Sequence, residues 1–328
     1  MNEIQKNFPG FDLEKSSLSD SIYSIPQSLY PWKGKYLSTI FLTHLHIYLC
    51  IVNRLYMSPK TILEIGGGYG ALARLFKLEH PTVQYTICDL PESLFFSEIF
   101  LRVNFPNAVI QYAQSEDDFS ETADFFLVPV QLVFCLKERL YDIVVNSGSL
   151  QEMPDQTVDF WMDFIETNPI KNFYSLNYFA NQIEGTIAAP EASNYICPKL
   201  DPYWHILHWE QNPPLMSIDT DKNWLELCLR REPEINRNPL EKPIYAQLLY
   251  QDSFSEGRAS TRWLSTLWKA SWLYPMPEVL WQLFEYSVER KLRESIGYGK
   301  MLLSNKKKLS PNQQVFVETY LKNILVEK

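Results

Sequence analysis

Apolar residues recur along this chain at two periods. Short runs, Ile62-Leu63 with Ile65, Val83 to Cys88, Ala108 to Tyr112, Tyr141 to Val145 and Phe173 to Phe179, predict β-strands. Between them, the sets Ala71, Leu72, Leu75, Phe76, Leu78, then Leu94, Phe95, Ile99, Leu101, then Val158, Trp161, Phe164, Ile165 keep helical spacing. The punctuation agrees: Pro81 closes the first helix, Pro91 opens the second, and Asn104 to Asn107 breaks it. Strands alternating with helices through short connectors predict an α/β, doubly wound sheet. Phe125 to Leu136 fits less simply. The run is apolar enough for a buried strand, yet Pro129 has no N–H to give, which predicts an edge strand or a bent segment leading into a helix. Tyr203 to Trp209 and Trp224 to Leu229 are expected to close the sheet as its last two strands.

The flanks read as helical. Residues 1 to 36 predict a short helix and an irregular wrap, and Leu37 to Tyr56 an amphipathic helix carrying His44 and His46 on different faces. Ala180 to Tyr203 is rich in polar residues and proline, as expected of a substrate-binding excursion. Further on, Trp263, Leu264, Leu267, Trp268 and Trp272 form one helical stripe. Pro277 opens a second helix, with Leu280, Leu283, Phe284, Val288, Leu292 and Ile296 on one face and Gly297 placed to cap it. Ser310-Pro311-Asn312-Gln313 is a capping-box pattern that starts a third. The expected organisation is an N-terminal helical cap over 1–56, an α/β core over 57–232 and a C-terminal helical bundle over 233–328.

Charge and composition narrow the partners. A formal net charge of −9 over 328 residues, with Lys306-Lys307-Lys308 as the main basic cluster, argues against nucleic acid. The five cysteines are scattered without a C-x-x-C pair, which suits unpaired thiols in a reducing cytoplasm and gives no metal-ligand pattern. No run approaches the ~20 apolar residues that span a bilayer, so a cytoplasmic location with no membrane span is expected. A homo-oligomer is compatible with this composition.

The chemistry concentrates in Thr61 to Ala71, TILEIGGGYGA. Gly66, Gly67, Gly68 and Gly70 let the backbone turn against a ligand, and the helix that follows faces it with free amides. The spacing fits E-x-G-x-G-x-G through Glu64, Gly66, Gly68 and Gly70. It also satisfies the dinucleotide fingerprint G-x-G-x-x-A through Gly66, Gly68 and Ala71. Context favours the first pattern: Glu64 at the strand end can hold the cationic end of a ligand, and Asp89 ends the next strand, where it can accept from a ribose.

Residues 62 to 70, Asp89-Leu90-Pro91, Asn146-Ser147, Ser149-Leu150-Gln151-Glu152-Met153 and Ser175-Leu176-Asn177-Tyr178-Phe179 resemble the sugar O-methyltransferases found among bacterial surface-polysaccharide genes. These are similar to class I methyltransferases. The resemblance covers roughly residues 50 to 215. It implies a Rossmann-like sheet with its final strand antiparallel, S-adenosylmethionine as cofactor, and a small-molecule or glycan acceptor methylated at a sugar hydroxyl. It places Glu64, Gly66, Gly67, Gly68, Gly70, Asp89, Leu90 and Asn146 at the donor, with Ser115 or Glu116 by its adenine and Leu37 to Tyr56 as a lid. For the base that takes the hydroxyl proton, His205 and His208 in the segment WHILHW are one choice. If that segment is a strand, they face opposite sides. Glu152 is the rival. Asn146, Ser147 and Asn177, standing where a metal would need carboxylates, imply a metal-independent reaction.

Overall fold

The computed structural model describes residues 2–24, 29–55, 58–180, 204–211, 223–231, 276–290, 294–304 and 306–326, together with 246, 250, 253, 267, 270 and 271. The excursion expected over 181–203 and most of the tryptophan stripe at 263–272 lie outside the described residues.

The chain opens with α1 (Asn2–Asn7) and a hairpin of β1 (Tyr30–Trp32) and β2 (Lys35–Leu37). Its turn places Lys33 and Gly34 at φ 46° and 77°, the left-handed pair that a two-residue hairpin requires. Next comes α2 (Thr39–Arg54), whose N-terminus is capped by Ser38 Oγ accepting from the Phe41 amide at 3.0 Å.

From here strand and helix alternate as the hydrophobic pattern predicts. The elements are β3 (Thr61–Ile65), α3 (Ala71–Glu79), β4 (Gln84–Asp89), α4 (Pro91–Asn104), β5 (Ile110–Tyr112), β6 (Phe125–Pro129), β7 (Ile143–Ser147), α5 (Asp155–Thr167) and β8 (Asn172–Ala180). Two further strands, β9 (Trp204–Gln211) and β10 (Asn223–Arg231), complete one sheet in the order β5-β6-β4-β3-β7-β8-β10-β9. All neighbours are parallel except β10, which runs antiparallel to both β8 and β9. The strand order reverses beside β3, whose partners are β4 and β7. That is the switch point where an open parallel sheet leaves a crevice outside its strand ends.

Two apolar layers hold the sheet. On one face Ile62, Ile87, Ile143 and Leu176 pack with Leu45 and Ile51 of α2, Phe76 of α3 and Leu101 of α4. On the other, Leu63, Val144, Phe173 and Leu229 pack with Trp161 of α5 and with the C-terminal helices α6 (Pro277–Glu289), α7 (Glu294–Ser304) and α8 (Pro311–Val326). The three C-terminal helices are thus continuous with the core through Leu283, Phe284, Leu302 and Leu321.

Three local expectations change. β6 is internal, between β5 and β4, because Phe125 and Leu127 feed one core layer while Phe126 and Val128 feed the other. Its proline is tolerated since Pro129 is the last residue, where the ladder ends and a 3-10 turn (Val130–Leu136) begins. Gly297 does not cap a helix. The helix stops at Glu289, and Gly297 lies inside α7, where Gly299 lets Leu321 approach to about the distance of a methyl contact. In β9 the register shifts opposite Cys228 and Leu229, pairing them with His208 and Ile206, so simple alternation does not run from His205 to His208. The capping box of α8 forms as expected. The Ser310 amide donates to Gln313 Oε1 at 3.0 Å, and the Gln313 amide to Ser310 Oγ at 3.3 Å.

Candidate cofactor and acceptor site

The glycine turn sits at the C-terminal end of β3, and each glycine there answers a different demand. Gly66, Gly68 and Gly70 have φ of 72°, 55° and 85°, a region that costs an L-residue roughly 1–2 kcal/mol. A Cβ on Gly66 would lie 2.1 Å from Ser149 Oγ, and one on Gly67 would lie 2.8 Å from Glu64 Oε2. At Gly68 nothing stands within 4 Å of the same position. The first two glycines let the backbone lie against protein, whereas Gly68 faces open space.

The turn is clamped from both sides. The Gly68 amide donates to Asp89 Oδ2 at 2.8 Å, while Ser97 Oγ on α4 donates to the Gly68 carbonyl at 2.5 Å. Asp89 Oδ1 accepts from the Leu90 amide at 2.7 Å, so each carboxylate oxygen keeps lone-pair capacity for a ligand. Burial raises the Asp89 pKa, opposed by those amides and by Ser93. Leu90 is exposed at the mouth. Gly70 is the N-cap of α3 with no side chain to close it, so the first amides of the helix have no capping side chain.

Glu64 lies beneath the turn, 4% exposed, its Oε2 accepting from Tyr85 Oη at 2.9 Å. Burial pushes its carboxyl up to about 7. The Tyr85 hydrogen bond opposes this shift and the Asp89 charge adds to it. Among the described residues no cation pairs with it.

Asn146 ends the buried part of β7 and is wholly enclosed. Its Nδ2 donates to the Ile65 carbonyl at 2.8 Å and to Ser149 Oγ at 2.6 Å; its Oδ1 accepts from the Leu150 amide at 3.2 Å and from Asn177 Nδ2 at 2.9 Å. With every polar position used, this side chain ties β3, β8 and the turn after β7 together. Gly148, at φ 70°, starts that turn, and Glu152 is exposed within its 3-10 segment (Leu150–Glu152). Ser97 and Tyr85 bear on the site without a signal in the sequence, since a hydroxyl that braces a distant loop looks like any other.

Ser115 and Glu116 are exposed after β5, the outermost strand. β6 stands between them and β4, and Pro129 pairs with Asp89, with Val130 and Gln131 following it in the chain.

The histidines stand elsewhere. His208 is on β9, four strands from β3, roughly 19 Å at the usual strand spacing. Its Nε2 is 3.1 Å from Glu226 Oε2 and 3.5 Å from Glu210 Oε2. Burial alone would lower its pKa, but hydrogen bonds to Cys50, Glu210 and Glu226 outweigh that and push it up to about 11. His205, on the same strand opposite Arg230, has its side chain outside the described residues.

No known protein family matches the sequence, and no curated protein does. Solved structures with a related chain path include an O-methyltransferase family protein from Burkholderia thailandensis, 10% identical with a TM-score of 0.39, matched over 60% of this chain and 58% of that one. Another is an rRNA methylase from Escherichia coli, 13% identical, TM-score 0.37, over 58% and 65%. A third is magnesium protoporphyrin IX methyltransferase from Synechocystis with bound S-adenosylmethionine, 11% identical, TM-score 0.40, over 58% and 80%. This chain spans less than two thirds of the length of the first two. Similarity at this level assigns it neither substrate nor cofactor.

Proposed function

We propose that this chain is an S-adenosylmethionine-dependent O-methyltransferase that methylates a sugar hydroxyl in the making of bacterial surface polysaccharide. The observation that carries the reading is the cradle at Gly68, open where a Cβ would project, with the Asp89 carboxylate hydrogen-bonded beside it. When bound there, the cofactor supplies an electrophilic methyl group on a sulfonium.

The chain's own residues divide the remaining work. Gly66 to Gly70 and the amide end of α3 give backbone donors, and Asp89 accepts from ribose hydroxyls. Glu64, under Gly67, provides the negative charge that favours a cationic ligand. Leu90 covers one side of the nucleoside. Val130 and Gln131 flank the adenine, with Ser115 and Glu116 on the outer rim beyond β6. Asn146 positions the turn after β7 and leaves direct contact to its neighbours. Glu152, exposed in that turn, is the base that takes the hydroxyl proton, directly or through one water. The ends of β7 and β8 present Asn146, Ser147 and Asn177, a neutral set unsuited to a hard divalent cation, so methyl transfer needs no magnesium.

The sugar acceptor rests on the resemblance of the Asn146–Met153 and Ser175–Phe179 segments. Its test is transfer of a labelled methyl group to a panel of free, nucleotide-linked and lipid-linked sugars. Labelling of a sugar hydroxyl, reduced by about 100-fold or more in Glu152→Gln and indifferent to added magnesium, is expected. Donor binding without labelling of any sugar contradicts the acceptor assignment.

A further inference from the structure

At the other end of the sheet, three elements, α2, β9 and β10, bring thiol, imidazole and carboxylate together. Cys50 of α2, His208 of β9 and Glu226 of β10 have their ligand atoms within 4.8 Å of one another. Cys228 Sγ lies 3.6 Å from Cys50 Sγ. Cys50, Cys228 and Glu226 are enclosed, while His208 keeps 12% of its side chain exposed. Around them, Tyr174 Oη donates to Glu226 Oε1 at 2.5 Å and His46 Nε2 approaches the same oxygen at 3.0 Å.

We propose that this cluster is a site for one zinc-class divalent ion, bound by Cys50 Sγ, His208 Nε2 and Glu226 Oε2, with water as the fourth ligand. The donor set selects the ion. Mixed thiolate, imidazole and carboxylate ligands suit zinc, whereas magnesium and calcium take oxygen. The outer shell is the second argument. A ligating carboxylate is normally fixed by hydrogen bonds to its other oxygen, and Tyr174 and His46 supply them at Oε1. On binding, the Cys50 thiol and His208 release their ligand-atom protons to solvent, and the partly exposed edge of β9 gives the ion a way in. Four strands from the glycine turn, the ion staples the sheet's edge to α2 and takes no part in methyl transfer.

The test uses the full chain, reduced and stripped of metal by a chelator, then titrated with cobalt(II) as a spectroscopic stand-in for zinc. Thiolate-to-cobalt charge-transfer absorption is expected to saturate at about one ion per chain, to be bleached by zinc and to ignore magnesium. Cys50→Ser should lose most of this absorption and Cys228→Ser should keep it, while each keeps the far-ultraviolet circular dichroism of the wild type. A folded, reduced wild type that shows no charge-transfer band, or one that survives Cys50→Ser unchanged, overturns the site.

Discussion

Two glutamates, both buried against the same sheet face, behave oppositely. Glu64 under the glycine turn has one tyrosine donor and no cation, and its pKa is pushed up to about 7. Glu226, between α2 and the sheet's far edge, has a tyrosine and two histidines, and hydrogen bonds from His208 and His46 hold it well below the usual carboxylate range although burial alone would raise it. Burial alone therefore does not decide what a carboxylate is for. An acid with one neutral donor keeps its proton to higher pH, and one with two histidines beside it completes the pairing internally.

The largest expected effect breaks the completed pair. Glu226→Ala leaves His46 and His208 without their shared acceptor and should cost about 3–5 kcal/mol in urea unfolding. A loss below about 1 kcal/mol would show that the cluster is not held by this carboxylate. Glu64 gives the contrasting result through pH. Its folded pKa, about 7, exceeds the reference 4.5, so between those values the folded state binds more protons and stability falls as pH rises. The penalty is absent below about pH 4.5 and complete above about pH 7, on the order of 3 kcal/mol. Glu64→Gln should therefore be the more stable protein at pH 8 and show a flatter profile, read from unfolding at pH 5 and 8. A cationic ligand draws the proton off Glu64, so cofactor affinity should rise through the same window.

Within the glycine turn, two neighbours sharpen the distinction between supporting the fold and admitting a ligand. Gly66→Ala meets Ser149 and a positive φ and should cost about 2–3 kcal/mol by melting. Gly68→Ala meets only the backbone cost of roughly 1–2 kcal/mol, yet it intrudes on the ligand. Equal melting losses from the two would remove the structural reason for assigning Gly68 to the cofactor.

The two regions also differ in how far the sequence discloses them. At the glycine turn the requirement is local: Gly66, Gly68 and Gly70 announce left-handed backbone, and Glu64 and Asp89 end consecutive strands. The far cluster has no such signature, because Cys50, His208, Glu226 and Cys228 come from a helix, the edge strand β9 and its neighbour β10, whose adjacency only the sheet order creates. His208 stands out as a base for its imidazole and the indoles that flank it, whereas Glu226 and Glu210 beside its Nε2 cannot be read from that segment. Ser115 and Glu116 meet the same gap, since the runs at 108–112 and 125–136 are both apolar and nothing in either states which lies against β4. The hairpin at Lys33-Gly34 reads in the sequence only as an irregular wrap, because the strands it joins are too short for a period to show.

The central claim is that the open side of Gly68 admits S-adenosylmethionine. The most direct measurement is calorimetric titration of S-adenosylmethionine and S-adenosylhomocysteine into the wild type, into Gly68→Val and into Gly68→Val with Asp89→Ala, all shown to be folded. Saturable one-site binding by the wild type, reduced in Gly68→Val and lost in the double variant, is the predicted result. A folded wild type that binds neither compound while NAD or NADP binds would contradict it and return the glycine spacing to its dinucleotide reading.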